Sequence, residues 1–113
     1  GWTALHNAVN ADLSSGTIIA LLQRGADVYA RNNTGLNPLH MSCQLANIAT
    51  SDILLRWGAD ETSADNDGNT PADVMGLQVP EADANEADYE RLAHLLASAP
   101  ADRAWRRRGW LVL

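Results

Sequence analysis

A three-residue run, Gly25-Ala26-Asp27, returns as Gly58-Ala59-Asp60 after 33 positions. Leu5-His6 returns as Leu39-His40, and Gly1, Gly35 and Gly68 are separated by 34 and then 33 positions. A fixed period of this length is the mark of stacked helical repeats. Each unit in such a stack buries its apolar side only against its neighbours. The array therefore exposes one long shared surface, which suits a macromolecular partner better than it suits a reaction.

The residues inside each period read as a helix, a loop, a second helix and a polar turn. Thr3 caps a short helix whose Leu5, Ala8 and Val9 fall at i, i+3 and i+4. After a loop at residues 12–16, the pattern predicts a second helix opening at Thr17, burying Ile18, Ile19, Leu21 and Leu22, and stopping at Gly25. The second period repeats the plan: Asn37 caps, Pro38 takes the first helical position, and Leu39, Ser42 and Cys43 form the small apolar stripe. Ile53, Leu54 and Leu55 carry its second helix and Gly58 ends it. The third begins in order with Thr70-Pro71 and then departs. Gly76 breaks the first helix early, residues 77–84 read as an enlarged loop, and residues 85–98 read as a longer helix with Tyr89, Leu92, Leu95 and Leu96 on one side. Beyond Pro100, residues 102–108 are expected to form a short final helix closed by Gly109.

With these residues in place, the sequence resembles an ankyrin-repeat protein. The openings are Gly1-Trp2-Thr3-Ala4-Leu5-His6, Gly35-Leu36-Asn37-Pro38-Leu39-His40 and Asp65-Asn66-Asp67-Gly68-Asn69-Thr70-Pro71. The closings are Leu21-Leu22-Gln23-Arg24-Gly25-Ala26-Asp27 and Leu54-Leu55-Arg56-Trp57-Gly58-Ala59-Asp60. The chain departs from the family pattern at Ala4, Asn37, Ala72 and Asp73, and its first unit has one extra residue between its helices. The resemblance implies an all-α solenoid of helix-turn-helix units, an L-shaped stack with short hairpin turns, divided as 1–34, 35–67 and a divergent 68–99, followed by a basic and apolar extension over 100–113. It further implies a non-catalytic module that binds a protein partner along the hairpin tips and inner helices. Mapped onto this chain, that face comprises Trp2, Asn10, Ala11, Asn33, Thr34, Leu36, Gln44, Leu45, Asn66, Asp67, Asn69, Leu77 and Gln78. Trp2, Leu36 and Leu45 are its large apolar members and the natural anchors.

The remaining chemistry points the same way. His6 and His40 hold equivalent places and are expected to hydrogen-bond backbone between neighbouring turns. Together with Cys43 they lack zinc-ligand spacing, so no metal or other cofactor is expected. His94 sits among Leu92, Leu95 and Leu96, at the core edge or surface. Residues 63–74 miss both the first ligand and the bidentate glutamate of a calcium loop. No serine stands in a nucleophile setting, and the acids show no catalytic pairing. Residues 60–90 hold ten acids and no Lys or Arg, whereas residues 91–113 hold five arginines and one acid. A solvated acidic face and a basic end account for this; a polar partner surface or a clasp between the two is the sharper alternative. Trp105-Arg106-Arg107-Arg108-Gly109-Trp110 is the one patch suited to nucleic acid or anionic lipid, a role the chain's net charge of −6 disfavours. A second alternative is a regulatory segment docked on a larger enzyme or channel. No apolar run approaches the roughly 20 residues of a membrane span. The chain lacks a basic-then-apolar opening, and lone Cys43 suits a reducing compartment, so an intracellular setting, cytoplasmic or nuclear, is expected. The opening at a turn glycine and the apolar ending at residues 110–113 read as a piece of a larger protein, with self-association through that ending.

Overall fold

The computed structural model describes residues 2–79 and 85–98, all helices and turns, with no strand among them. Helices α1 (Ala4–Asn10) and α2 (Ser15–Gln23) form one antiparallel pair, and α3 (Pro38–Gln44) and α4 (Ile48–Arg56) form the next. A 3₁₀ turn, Pro71–Val74, opens the third unit. Helix α5 spans residues 86–98. α1 packs on α3 and α2 on α4, while α3 also packs on the 3₁₀ turn, so α3 lies between its neighbours. The expected final helix over residues 102–108 and any fold-back or self-association of residues 100–113 lie outside the described residues.

Local chemistry sets where each helix starts. The Thr3 hydroxyl accepts from the His6 N–H (3.3 Å), and the His6 ring accepts the Thr3 N–H (3.2 Å). This reciprocal pair satisfies two backbone donors that the first helical turn leaves unpaired. Asn37 and His40 repeat it on α3. α2 corrects the sequence expectation, because it opens two residues before Thr17. Ser14 is the cap, accepting the Thr17 N–H, and the Thr17 hydroxyl bonds back to Ser14 Oγ (3.0 Å).

The repeated Gly-Ala-Asp is a stop signal with three separate jobs. Gly25 and Gly58 sit at φ +95° and +98°, the left-handed conformation that closes an α-helix. Ala26 and Ala59 then donate back to Leu21 O and Leu54 O, completing the capped end, and Ala59 is fully buried. Asp27 and Asp60 accept from the N–H groups of Tyr29 and Thr62, both at 2.8 Å, which turns the chain toward the next hairpin. α1 and α3 end by the same backbone pattern without glycine: Asp12 and Ala46 hold φ values of 55° and 53°.

Leu5, Val9, Ile18, Leu22, Leu39, Leu54 and Leu92 form one continuous core with Cys43 among them. Ile18 and Leu22 are buried as expected, whereas Ile19 and Leu21 are half-buried. Of the enlarged loop expected over residues 77–84, residues 80–84 lie outside the described residues. Gly76 turns the chain at φ +75°, and a Cβ there would meet the Tyr89 ring at 2.8 Å. The backbone of this turn donates from Gly76 N to Cys43 O and from Gln78 N to Gln44 O, both at 2.9 Å, capping the end of α3. Leu92 and Leu96 of α5 close the core, and His94 is exposed.

Candidate partner-binding face

The two hairpin turns that carry the expected site are built alike. The first is held by Asn32 N–H donating to Leu36 O (2.9 Å) and Gly35 N–H donating to Asn32 O (2.9 Å). Inside it, Asn32 Oδ1 accepts from Thr34 N (3.0 Å), Thr34 Oγ1 (2.8 Å) and Leu36 N (3.0 Å). In the second, Asp65 N–H donates to Asn69 O (2.8 Å), and Asp65 Oδ1 accepts from the N–H groups of Asp67 and Asn69 (2.9 Å each). An acceptor side chain at the start of each turn thus fixes the loop and points Asn33, Thr34, Asn66 and Asp67 into solvent.

The tips are joined to each other. Asn66 donates its backbone N–H to Thr34 O (3.0 Å) and its side-chain amide to Asn33 O (2.9 Å). Gly35 permits this approach: a Cβ there would stand 2.5 Å from Asn66 Oδ1 and 2.6 Å from Asn66 N. Beneath the tips, the two histidines tie each helix pair to the next turn. His6 Nε2 donates to Leu36 O and His40 Nε2 to Asn69 O, both at 2.9 Å. A carbonyl oxygen only accepts, so Nε2 carries the proton and Nδ1 is the free acceptor. On His6, that acceptor receives the Thr3 hydroxyl (2.9 Å). On His40, it accepts the Asn37 N–H (3.3 Å), and the acceptor Asn37 Oδ1 lies 2.9 Å from the same atom. The 3₁₀ turn ends the series. Asp73 occupies the histidine position and accepts from Thr70 N (2.9 Å) and Thr70 Oγ1 (3.0 Å).

The expected site residues fall into three groups. Asn33, Thr34 and Asn66 touch directly, with Asp67 beside them. Leu45 and Gln78 line one recess of about 300 Å³ with Ala46, Val79, Asn85, Asp88 and Tyr89, and Gln44 is linked to Gln78 through backbone. Trp2, Asn10 and Ala11 are exposed on and beside α1, with the Trp2 ring 6.2 Å from that of His6. Leu77 is the most open large apolar side chain described, at 66% exposure. Leu36, Leu45, Gln44 and Asn69 are half-buried, and Leu36 packs against the core. Sequence reasoning passed over Asn7, which is exposed three residues before Asn10 on the same face of α1; the i, i+3 spacing was the available signal. It also missed the link from Asn47 Nδ2 to Asp12 Oδ1 (2.6 Å), which joins the loops of the two pairs.

The titrating groups here hold structure. Burial pushes the Cys43 thiol up to about 12, so it stays protonated and unreactive at neutral pH. Burial likewise lowers His40, against the smaller opposing effect of its bond to the Asn69 carbonyl. Hydrogen bonds from Thr70 lower Asp73. Among the described residues, no three His, Cys, Asp or Glu side chains converge to hold a metal ion, and no helix is long and apolar enough to cross a membrane.

A family model of the ankyrin repeat matches residues 1–33. Protein phosphatase 1 regulatory subunit 27 of Mus musculus is 35% identical over 75 residues, covering 66% of this chain and 48% of that protein. The Homo sapiens protein of the same name is 28% identical over 102 residues, covering 90% and 59%. Ankyrin repeat and SOCS box protein 11 of Danio rerio is 38% identical over 77 residues, covering 67% and 25%. The chain spans about half the length of the phosphatase regulatory subunits it matches.

Proposed function

Because this chain is an ankyrin-repeat protein, we propose that it is a non-catalytic docking module holding a protein partner on the face made by its hairpin tips and inner helices. The observation that carries this is the Asn66 clip to Asn33 and Thr34. It fixes the exposed tip groups before any partner arrives, so binding costs little further ordering. Leu77 and Trp2 supply large apolar contacts, and the Asn and Asp groups supply selectivity by hydrogen bonding. The test is affinity for a captured partner. Leu77→Asp and Asn10→Arg should each weaken it by about tenfold or more at unchanged helicity, the effect of losing roughly 1.4 kcal/mol. Gln23→Glu, on α2, should leave it unchanged. Loss of binding in the α2 variant alone contradicts the reading.

A regulatory role is the favoured form of this function. Two of the relatives are named as regulatory subunits of a protein phosphatase. In this reading the partner is an enzyme, either separate or part of a longer polypeptide, whose access to substrate the docked module changes. Adding the chain to protein phosphatase 1 catalytic subunit tests one case: altered turnover of a protein substrate supports it, and absence of binding removes that partner. An intracellular site of action fits the unpaired, buried Cys43. Binding of nucleic acid or a membrane surface belongs to the arginines of residues 103–108, outside the described residues. That reading requires binding that collapses with salt and with removal of residues 103–113.

A further inference from the structure

Gly35 is buried although it belongs to a surface turn. Two neighbours cover it: a Cβ built there would stand 2.7 Å from Arg31 Nη2 and 2.5 Å from Asn66 Oδ1. The Arg31 guanidinium therefore lies against the hairpin backbone, at the point where Asn66 clips the two turns together. Arg31 reinforces the lowering of His40 that burial causes, and Asp65 opposes it, so both charges lie near that ring. Residue 31 is nonetheless exposed, and among the described residues its guanidinium has no ion pair and no hydrogen bond. The other described arginines stand elsewhere: Arg24 ends α2, Arg56 ends α4 beside Asp52, and Arg91 is on α5. The chain has no lysine, so Arg31 is the one permanent cation on the described hairpin turns. The matching position of the second hairpin is Ala64, so the turn itself does not need an arginine there.

We propose that Arg31 is the charge-reading residue of the hairpin tips, and that it takes the carboxylate of an aspartate or glutamate in the partner's docked segment. This rests on the docking role proposed above and adds the partner's chemistry to it. A guanidinium offers parallel N–H donors that match the two oxygens of a carboxylate. Seated against Gly35 and beside Asn66, Arg31 has less freedom to lose on binding than an arginine held by solvent alone. Arginine is also among the residues that most often carry the affinity of an interface. A phosphate fits less well. Asp65 and the exposed Asp67 belong to the neighbouring hairpin, and a doubly charged group would meet more of their repulsion than one carboxylate does.

The experiment selects peptides from a phage-displayed random library on the full 113-residue chain. Those that protect the amides of residues 33–34 and 66–67 from hydrogen exchange are kept. They should share an aspartate or glutamate. Replacing that acid by its amide should weaken binding by about tenfold, and Arg31→Gln in the chain should do the same. The two changes together should cost no more than either alone, because they remove one contact. An Arg31 that only held the hairpin in shape would instead make the losses add. Arg31→Lys should restore only part of the affinity, since an ammonium cannot pair with both oxygens at once in the same way. Kept peptides without an acid, or losses that add, would overturn the role of Arg31 and leave the docking role standing. If no selected peptide protects the tips, the docking role falls and the role of Arg31 falls with it.

Discussion

At the residue scale, the stack depends on two histidines that do the same job with different partners. His6 receives a hydroxyl from Thr3, which both accepts and donates. His40 Nδ1 accepts the Asn37 N–H (3.3 Å), but where His6 also receives a hydroxyl it faces the acceptor Asn37 Oδ1. Asn37→Thr should therefore stabilise the fold by about 1 kcal/mol, the size of one recovered buried hydrogen bond. Urea unfolding checks this, and an unchanged or lower midpoint contradicts it. His40 also sets a pH dependence. Burial holds its folded pKa below the 6.5 of the free side chain. Between the two values the unfolded chain binds more protons than the folded one, so stability rises with pH. The His40 contribution is complete above about 6.5 and is lost as pH falls toward and through the folded value. Thermal midpoints should thus drop from pH 7 to pH 5. A His40→Gln variant should start lower at pH 7 and fall less steeply. The role of both histidines was legible from their matched positions. The mismatch at Asn37 was not, because it depends on which atom faces which at 2.9 Å.

At the scale of the element, helix ends explain both what the sequence revealed and what it hid. Gly-Ala-Asp marks the ends of α2 and α4 in plain text, because each residue type meets a distinct backbone need. The start of α2 was hidden because Ser14 and Thr17 both suit a cap, and only the bond from the Thr17 N–H to Ser14 Oγ shows that Ser14 takes it. Beyond the ends of α1 and α3, Asp12 and Ala46 hold positive φ, a conformation that aspartate tolerates and alanine does not. Asp12 offsets its conformation by accepting from Asn47. Ala46 has no side-chain group that does so. Ala46→Gly should stabilise the fold by about 0.5–1 kcal/mol, as relief of the left-handed conformation outweighs the added freedom of the unfolded glycine. A lowered melting temperature contradicts that account.

At the scale of the whole molecule, two helix pairs and a divergent third unit become one body through links that cross between periods. They include the histidine bonds to Leu36 and Asn69, the Asn66 clip, the Asn47 bridge to Asp12, and the bonds from Gly76 and Gln78 to the end of α3. The period made the stacking legible. It could not reveal the clip, since Asn33 and Asn66 meet only once the stack exists. Leu36 and Leu45 read from the sequence as open apolar groups, yet packing draws both half-way inward and leaves Leu77 the more open side chain. The central claim is that this pre-fixed row of tips and inner-helix residues receives a protein. Amide hydrogen exchange of the chain, free and bound to its partner, tests it most directly. Added protection is predicted at residues 10–11, 33–34, 66–67 and 77–78, with α2 and α4 unchanged. Protection confined to the outer surface of α2 and α4, with the tips exchanging as in the free chain, would contradict it.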